Sequence, residues 1–455
     1  MKLKMKVFLK FILAFVVLGI STIVNAQTGK DDYSLEELVD AALQNHQLLK
    51  IKKLQVAEQE TKLREANIRY YPVVNLNAGY QYNFNIGLLT VPAGSFGILP
   101  LYYPTGVVNL PLPDKDGKFE LGEHNAYNAG VVVYQPVSQL FKIGTAVKVA
   151  EKEISIANAA YSQASFQIKN GVEKLYYGIL ALRKRKSELE KNKEVAELKL
   201  YDVQTALLAG KTIEVNEAGL RANIADKEQE LLKLRFQEED LLADLRKLTG
   251  ITEENIFLQE HRTVEEIKSL EEYLQAAQSG NTDILLAGMQ KQKAELGVKA
   301  SRQSFVPEVG LIGSYTYQKG NKIFPEHNPF IGANLKWNIT ELFSNKENVS
   351  RSILLQRQAE ENESFTRIQV KAAIETAYRK LIQARELIKV TEKLVDYRKQ
   401  ELIVEQDRMA AGLSTQIKVL ETEASLAKAE ADLYGAIQSF NIAKSELHLL
   451  TGYKK

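Results

Sequence analysis

The sequence predicts a mainly α-helical protein with a transmembrane β-barrel, built as a duplicated strand–strand–long-helix-hairpin repeat. Three observations predict it. First, residues 128–250 read again as residues 330–452, displaced by 202 positions with no insertion or deletion. Gly130 falls on Gly332, Leu140 and Phe141 on Leu342 and Phe343, Ala209 and Gly210 on Ala411 and Gly412, and Leu248-Thr249-Gly250 on Leu450-Thr451-Gly452. Second, all ten prolines lie within residues 72–136 and 307–329. A proline in a helix interior costs roughly 3 kcal/mol, so the proline-free stretches between and after those windows admit very long helices. Third, the proline windows hold runs in which apolar and polar side chains alternate, the period of a strand.

The two copies also begin alike, at an offset of 235: Ser34-Leu35-Glu36-Glu37 on Ser269-Leu270-Glu271-Glu272, Pro72 on Pro307, and Tyr80 and Tyr82 on Tyr315 and Tyr317. Internal repetition of this kind sets the architecture before any single residue is weighed. The first repeat covers residues 27–250 and the second residues 251–452, followed by a tail at 453–455. Ahead of them, Lys2, Lys4, Lys6 and Lys10, the apolar residues 11–20 and Val24-Asn25-Ala26 make residues 1–26 a secretory signal peptide. Its removal takes the formal charge from +2 to about −2, because four lysines and no acid leave with it. That gives no basis for nucleic-acid binding, which needs a clustered basic face. Cysteine is absent, which excludes disulfides and a lipid anchor on cysteine. No mature segment reaches the ~20 apolar residues of a membrane helix, so any crossing falls to strands.

Each repeat opens with a capping box, Ser34 with Glu37 and Ser269 with Glu272, which predicts a helix running up to Pro72 or Pro307. Strands follow at residues 73–85 and 126–137 in the first copy and 307–318 and 329–340 in the second. Val74, Leu76, Ala78, Tyr80 and Tyr82 share one face of the first strand, with Asn75, Asn77, Gly79 and Gln81 on the other. Val309, Leu311, Tyr315 and Tyr317, and then Ile331, Ala333, Leu335, Trp337 and Ile339, repeat the pattern. The polar faces carry amides and hydroxyls rather than salt-bridging charges, as suits a wet lumen. Tyr70, Tyr71, Phe305 and Trp337 gather at strand ends, where a bilayer interface attracts aromatics. Residues 83–126, absent from the second copy, are rich in apolar side chains and predict a packed loop.

After each strand pair comes a seven-residue rhythm: Ile374, Leu381, Ile388, Val395, Leu402 and Met409 in the second copy, with Val172, Ile179, Leu200 and Leu207 in the first. A helix from Leu140 to Leu208 would run about 100 Å at ~1.5 Å per residue. Gly210 and Gly412 interrupt the rhythm at places suited to chain reversal, and a return helix bearing Leu426, Leu433, Phe440 and Leu447 follows. Four strands cannot close a barrel, and unpaired edge amides in lipid cost several kcal/mol each. Two copies would supply eight strands and an interior filled by side chains; three supply twelve and a lumen.

This order (signal, capped helix ending at proline, two strands, very long helix, Ala-Gly tip, return helix closing in Leu-Thr-Gly, all duplicated) resembles the TolC-like outer-membrane efflux proteins over nearly the whole mature chain. The residues that carry the resemblance are Ala209-Gly210 with Ile213 and Val215, Ala411-Gly412 with Ile417, Val419 and Leu420, and the two Leu-Thr-Gly ends. It implies a homotrimer in the outer membrane of a Gram-negative bacterium, in contact with outer-membrane lipid, with a helical barrel in the periplasm. A small equatorial belt would draw on residues 251–280. It implies an exit duct served by a periplasmic adaptor (membrane fusion) protein and an inner-membrane transporter of the RND, ABC or MFS type. The adaptor would dock on the hairpin tips, Leu208, Ala209, Gly210, Lys211, Ala411, Gly412 and Leu413. Where relatives carry acidic residues facing the pore, this chain has Lys418 and Glu421. Glu421 suits an acidic constriction, and the pair could instead bridge neighbouring copies.

The competing reading is a periplasmic coiled-coil adaptor or scaffold, whose hairpins look similar but which has no use for strands with one apolar, aromatic face. An enzyme is disfavoured: His46, His124, His261, His327 and His448 show no ligand spacing, and no Gly-rich phosphate loop is present. The expectation is a passive duct with no cofactor and no metal.

Overall fold

The computed structural model describes residues 32–210, 214–253, 256–260 and 267–452. The signal segment, Lys211 and Ile213, parts of residues 251–280, His261 and the tail lie outside the described residues, as does the side chain of Val215. In chain order the helices are α1 (Leu35–Asn45), α2 (Gln47–Ile68), α3 (Leu140–Leu208), α4 (Glu214–Thr249), α5 (Leu270–Gly280), α6 (Thr282–Gln303), α7 (Glu341–Ala410) and α8 (Gln416–Thr451). The strands are β1 (Val73–Tyr82), β2 (Leu88–Val91), β3 (Ile98–Tyr103), β4 (Gly106–Pro111), β5 (Gly117–Glu120), β6 (Gly122–Pro136), β7 (Glu308–Asn321) and β8 (His327–Lys336). No described helix is long and apolar enough to cross a membrane.

One compact unit, Lys50–Ala164 with Ala277–Ala372, holds these strands. Four of them form an antiparallel sheet in the order β1-β6-β7-β8, so the two copies meet at β6 and β7. Register keeps the alternation in rows: Leu76, Val131, Tyr315 and Pro329 lie side by side, and the next row is Asn77, Gly130, Thr316 and Asn328. β8 ends at Lys336, short of the expected residue 340, and leaves Trp337 and Ile339 beyond the strand. The cause is Asn338, whose Oδ1 accepts from the backbone N–H of Thr340 at 3.2 Å and of Glu341 at 3.4 Å and turns the chain into α7. Two residues past the matching position in the first copy, Pro136, Ser138 Oγ donates to the Pro307 carbonyl and accepts from Val309 N–H, each at 2.7 Å.

Residues 83–126 form paired strands rather than the loop the sequence suggests. They continue the β1–β6 hairpin outward as a ribbon, β2 pairing with β5 and β3 with β4, and the register slips by one residue at each of the two junctions. Cross-ribbon pairing satisfies the backbone, so the segment keeps its shape while Ile98, Tyr102, Val107 and Phe119 stay exposed.

The helical unit comprises the described parts of Met1–Leu49, Ser165–Ala276 and Ala373–Lys455. Both capping boxes form, with Ser34 and Glu37 bonded reciprocally and Ser269 and Glu272 at 3.3 Å in each direction. The helices they start do not run unbroken to Pro72 and Pro307. They stop at His46 and Asn281, equivalent positions at the 235 offset, both with extended backbone. Asn281 then caps α6 by accepting from Ile284 N–H at 2.9 Å. In α7 the heptad stripe is buried at Ile374, Leu381, Ile388 and Val395, and Met409 has emerged to solvent. A helix of 3.6 residues per turn drifts ~20° per heptad against a strict seven-residue repeat, and five heptads carry the stripe about 100° around. Glu405 takes the inward place instead.

Helix α3 has partners on two sides. Toward α4, Arg183 Nε meets Glu238 at 2.7 Å and Lys193 meets Glu228 at 2.9 Å. Toward α8, Val195 and Leu198 pack on Leu420 and Ala424, Asn170 donates to Ser445 Oγ at 2.7 Å, and Lys191 pairs with Glu423 at 3.0 Å. Residues 256–260 lie across this packing as a strap, bridged in parallel to Tyr33. Tyr176 donates to the Gln259 carbonyl, Arg183 to the Ile256 carbonyl at 3.0 Å, and Tyr434 to Glu260. Burial, with the charges of Asp32 and Glu260 behind it, pushes the Tyr176 phenol up to about 12, so it stays a protonated donor.

Candidate functional site

The second hairpin tip is a Schellman turn: Gly412 N–H bonds the Met409 carbonyl at 3.0 Å and Leu413 N–H the Arg408 carbonyl at 2.8 Å. Gly412 stands at φ +73° and Gly210, at the first tip, at φ +70°, a region costly for any residue with a Cβ. In this turn the residue after the glycine commonly packs back on the helix, yet Leu413 is 71% exposed, and Leu208 at the first tip is 92% exposed. The tips therefore present apolar knobs on a fixed backbone. The second is also braced: Ser414 donates to the buried Glu405 carboxylate and Arg408 approaches it at 3.4 Å. Val203 occupies the position equivalent to Glu405, so the first hairpin cannot repeat the brace.

Lys418 and Glu421 lie together on α8, 3.7 Å apart, but the closer partner of Glu421 is Lys199 on α3, at 2.6 Å. Sequence reasoning missed Lys199, because nothing local says which helix α8 packs against. The Lys199 hydrogen bond leads in holding the Glu421 carboxyl below its ordinary value of 4.5. The sign follows from that depression. The stabilisation is complete above the ordinary carboxylate range and is lost as pH falls through the lowered folded value. Lys199→Met is expected to raise the Glu421 midpoint toward its ordinary value in an NMR titration, and an unchanged midpoint would refute the pairing.

The apolar sheet face is open in the single chain, with Leu76 79% and Ile331 92% exposed. Tyr70, Tyr71, Phe305 and Trp337 all fall at one end of the sheet, because β1 and β7 start there and β8 ends there. The other end carries a second aromatic group that the sequence reading did not assign: Tyr80 on Tyr127 with centroids 5.2 Å apart, Tyr82 stacked on His124, and Tyr317 against His327, which Tyr315 also reaches from mid-strand. The signal for it was present, since Tyr80 and Tyr82 repeat as Tyr315 and Tyr317. An apolar band between two aromatic girdles is the outer surface of a membrane barrel.

A second exposed apolar feature lies on the helices. Leu387, Val390, Leu394, Tyr397 and Val404 form a heptad stripe on α7, all exposed, with Val390 at 64% and Tyr397 at 65%. The seven-residue rhythm read from the sequence picks out the buried stripe of α7, and this second, exposed stripe runs beside it. On α4, Ala218, Ala222, Ala225, Leu232, Phe236 and Ala243 are likewise exposed. Shifted by 202 positions, part of each stripe falls on the faces that α3 and α8 turn toward each other: Tyr397 corresponds to Val195, and Ala218 and Ala222 to Leu420 and Ala424, whereas Leu387 and Val404 correspond to the exposed Arg185 and Asp202. Glu401 and Gly219 replace the Lys199–Glu421 pair.

A family model described as "Outer membrane efflux protein" matches residues 38–251 and 273–453. No curated protein shows significant sequence similarity. Among solved structures, the CmeC outer membrane channel of Campylobacter jejuni superposes with a TM-score of 0.71 at 16% identity, over 92% of this chain and 85% of that one. VceC, an outer membrane protein of Vibrio cholerae, gives 0.67 at 17% identity over 92% and 96%. The open MtrE outer membrane channel of Neisseria gonorrhoeae gives 0.67 at 16% over 92% and 88%. At these identities the structures speak for the fold, and the family match speaks for kinship with channels rather than enzymes. The chain belongs to the outer membrane efflux protein family and is an outer-membrane efflux channel, not a periplasmic adaptor.

Proposed function

We propose that three copies close into one conduit: a twelve-stranded barrel in the outer membrane, lined by the amide-rich face, continued by a periplasmic ring of helices. One observation carries this reading. The 202-residue repeat maps the observed α3–α8 packing onto the two stripes left open, on α7 and α4. An interface present inside the chain is thus available a second time, between α7 of one copy and α4 of the next. Such a head-to-tail contact closes a ring when its rotation allows. The sheet supports the same closure, since its edges β1 and β8 are each ten residues long and each leaves one side unpaired. The absence of cysteine permits a direct test. Tyr397→Cys combined with Ala222→Cys is expected to link adjacent copies by disulfides on a non-reducing gel; a cross-link only within one chain overturns the ring.

The duct passes cargo delivered by a periplasmic adaptor and an inner-membrane pump of the RND, ABC or MFS type. The exposed Leu208 and Leu413, with Ala209, Gly210, Lys211, Ala411 and Gly412, form the adaptor's docking points. Near the second tip, Lys418 and Glu421 line the narrowest part of the pore, and with Lys199 already paired to Glu421 in the same chain each copy brings one carboxylate and two ammonium groups to its charge. Single-channel recordings in planar bilayers are expected to show altered conductance for Lys418→Ala and Glu421→Ala. Parental currents in both would remove them from the pore.

A further inference from the structure

The ribbon of residues 83–126 has no counterpart in the second repeat, and nothing in a duct that only conducts calls for it. Residues 83–113 contain no charged side chain. The ribbon also lacks the usual one-sided pattern. Successive residues Ile98 and Leu99, Tyr102 and Tyr103, and Val107 and Val108 are apolar and exposed, so both faces of its outer half, β3 with β4, are apolar, while the inner half carries Lys118 and Glu120 on β5. The ten residues of β1 are already enough for a tilted membrane crossing. β2 to β5 therefore project past the hydrocarbon, where lipid tails do not reach, and water is a poor solvent for such a surface.

From this we infer that the ribbons of three copies pack against one another across the outer end of the barrel, forming an apolar cap that acts as an external gate. The inference rests on the three-copy closure proposed above. Two features select another copy of this chain as the occupant. The ribbon grows from β1, the sheet edge where the next copy must join. A ribbon with two apolar faces also needs two covering surfaces, and three-fold symmetry supplies one from each neighbour, whereas a single partner supplies one. The cap would bar inward passage from the medium and part when cargo leaves.

The test uses the full chain, reconstituted, with trimers verified on unheated gels. Tyr102 is 80% exposed in the single chain and lies beside the ribbon's turn. The Tyr102→Cys variant is expected to form disulfide-linked pairs within intact trimers on mild oxidation. Val108→Asp, which places a like charge in each ribbon, is expected to raise single-channel conductance severalfold and admit a bulky dye from outside, as is replacement of residues 88–120 by a short turn. Intact trimers with no disulfide and parental conductance in Val108→Asp overturn the cap. So does quenching by brominated lipid of a fluorophore on the Tyr102→Cys variant, which would put the ribbon in the outer leaflet. Loss of trimers from the unaltered protein would instead overturn the closure on which the cap depends.

Discussion

Leu76→Arg is expected to abolish assembly into the outer membrane, while Asn77→Arg, one residue along, is expected to leave it intact. The two side chains point to opposite faces of β1, and Leu76 sits in the apolar row with Val131 and Tyr315. An arginine facing lipid at mid-membrane costs about 2–4 kcal/mol. Three copies per barrel raise that to about 6–12 kcal/mol, comparable to the entire stability of many domains. At Asn77 the guanidinium would enter the wet interior beside Thr316 and Asn328 and keep its hydration. Heat-modifiable trimers in the outer-membrane fraction are the measurement. Equal yields from both variants would mean that the apolar face does not meet lipid.

Leu394→Asp combined with Tyr397→Asp is expected to prevent ring closure while sparing the single chain. Tyr397 is exposed and Leu394 partly so in one copy, so α7 on its own loses little by the change. In the ring, each seam would bury carboxylates without partners, and an uncompensated buried charge costs about 3–5 kcal/mol. Sedimentation should give monomers with undiminished helical circular dichroism. Ile388→Asp, on the buried stripe of the same helix, should instead unfold the helical unit. Trimers persisting in the double variant would show that α7 does not meet α4 of a neighbour.

Much of this architecture is legible in the residues because its signals are periodic or repeated. Proline placement and heptads read α3 as running from Leu140 to Leu208, the bounds it has in the structure, since a long helix depends mainly on local rules. The buried run from Ile374 to Val395 follows from seven-residue spacing. The breaks at His46 and Asn281 escaped notice, as each is a single extended residue inside a helical pattern. The ribbon reads as a loop because cross-strand pairing over tens of residues leaves no local mark. Lys199 was missed as a partner of Glu421 for the same reason, with 222 positions between them.

The sequence by itself determined the duplication, the alternation of strands with long helices, the tips at Gly210 and Gly412, and the membership that these imply. Those features arise from the backbone preferences of proline and glycine and from apolar spacing along a few turns, all of which act locally. Only the tertiary structure decided which apolar stripes stay open. Exposure depends on which helix faces which, and the second stripe of α7 has the same composition and rhythm as a buried one. What distinguishes it is that it stays exposed in the single chain; in the proposed ring, α4 of a neighbouring copy covers it.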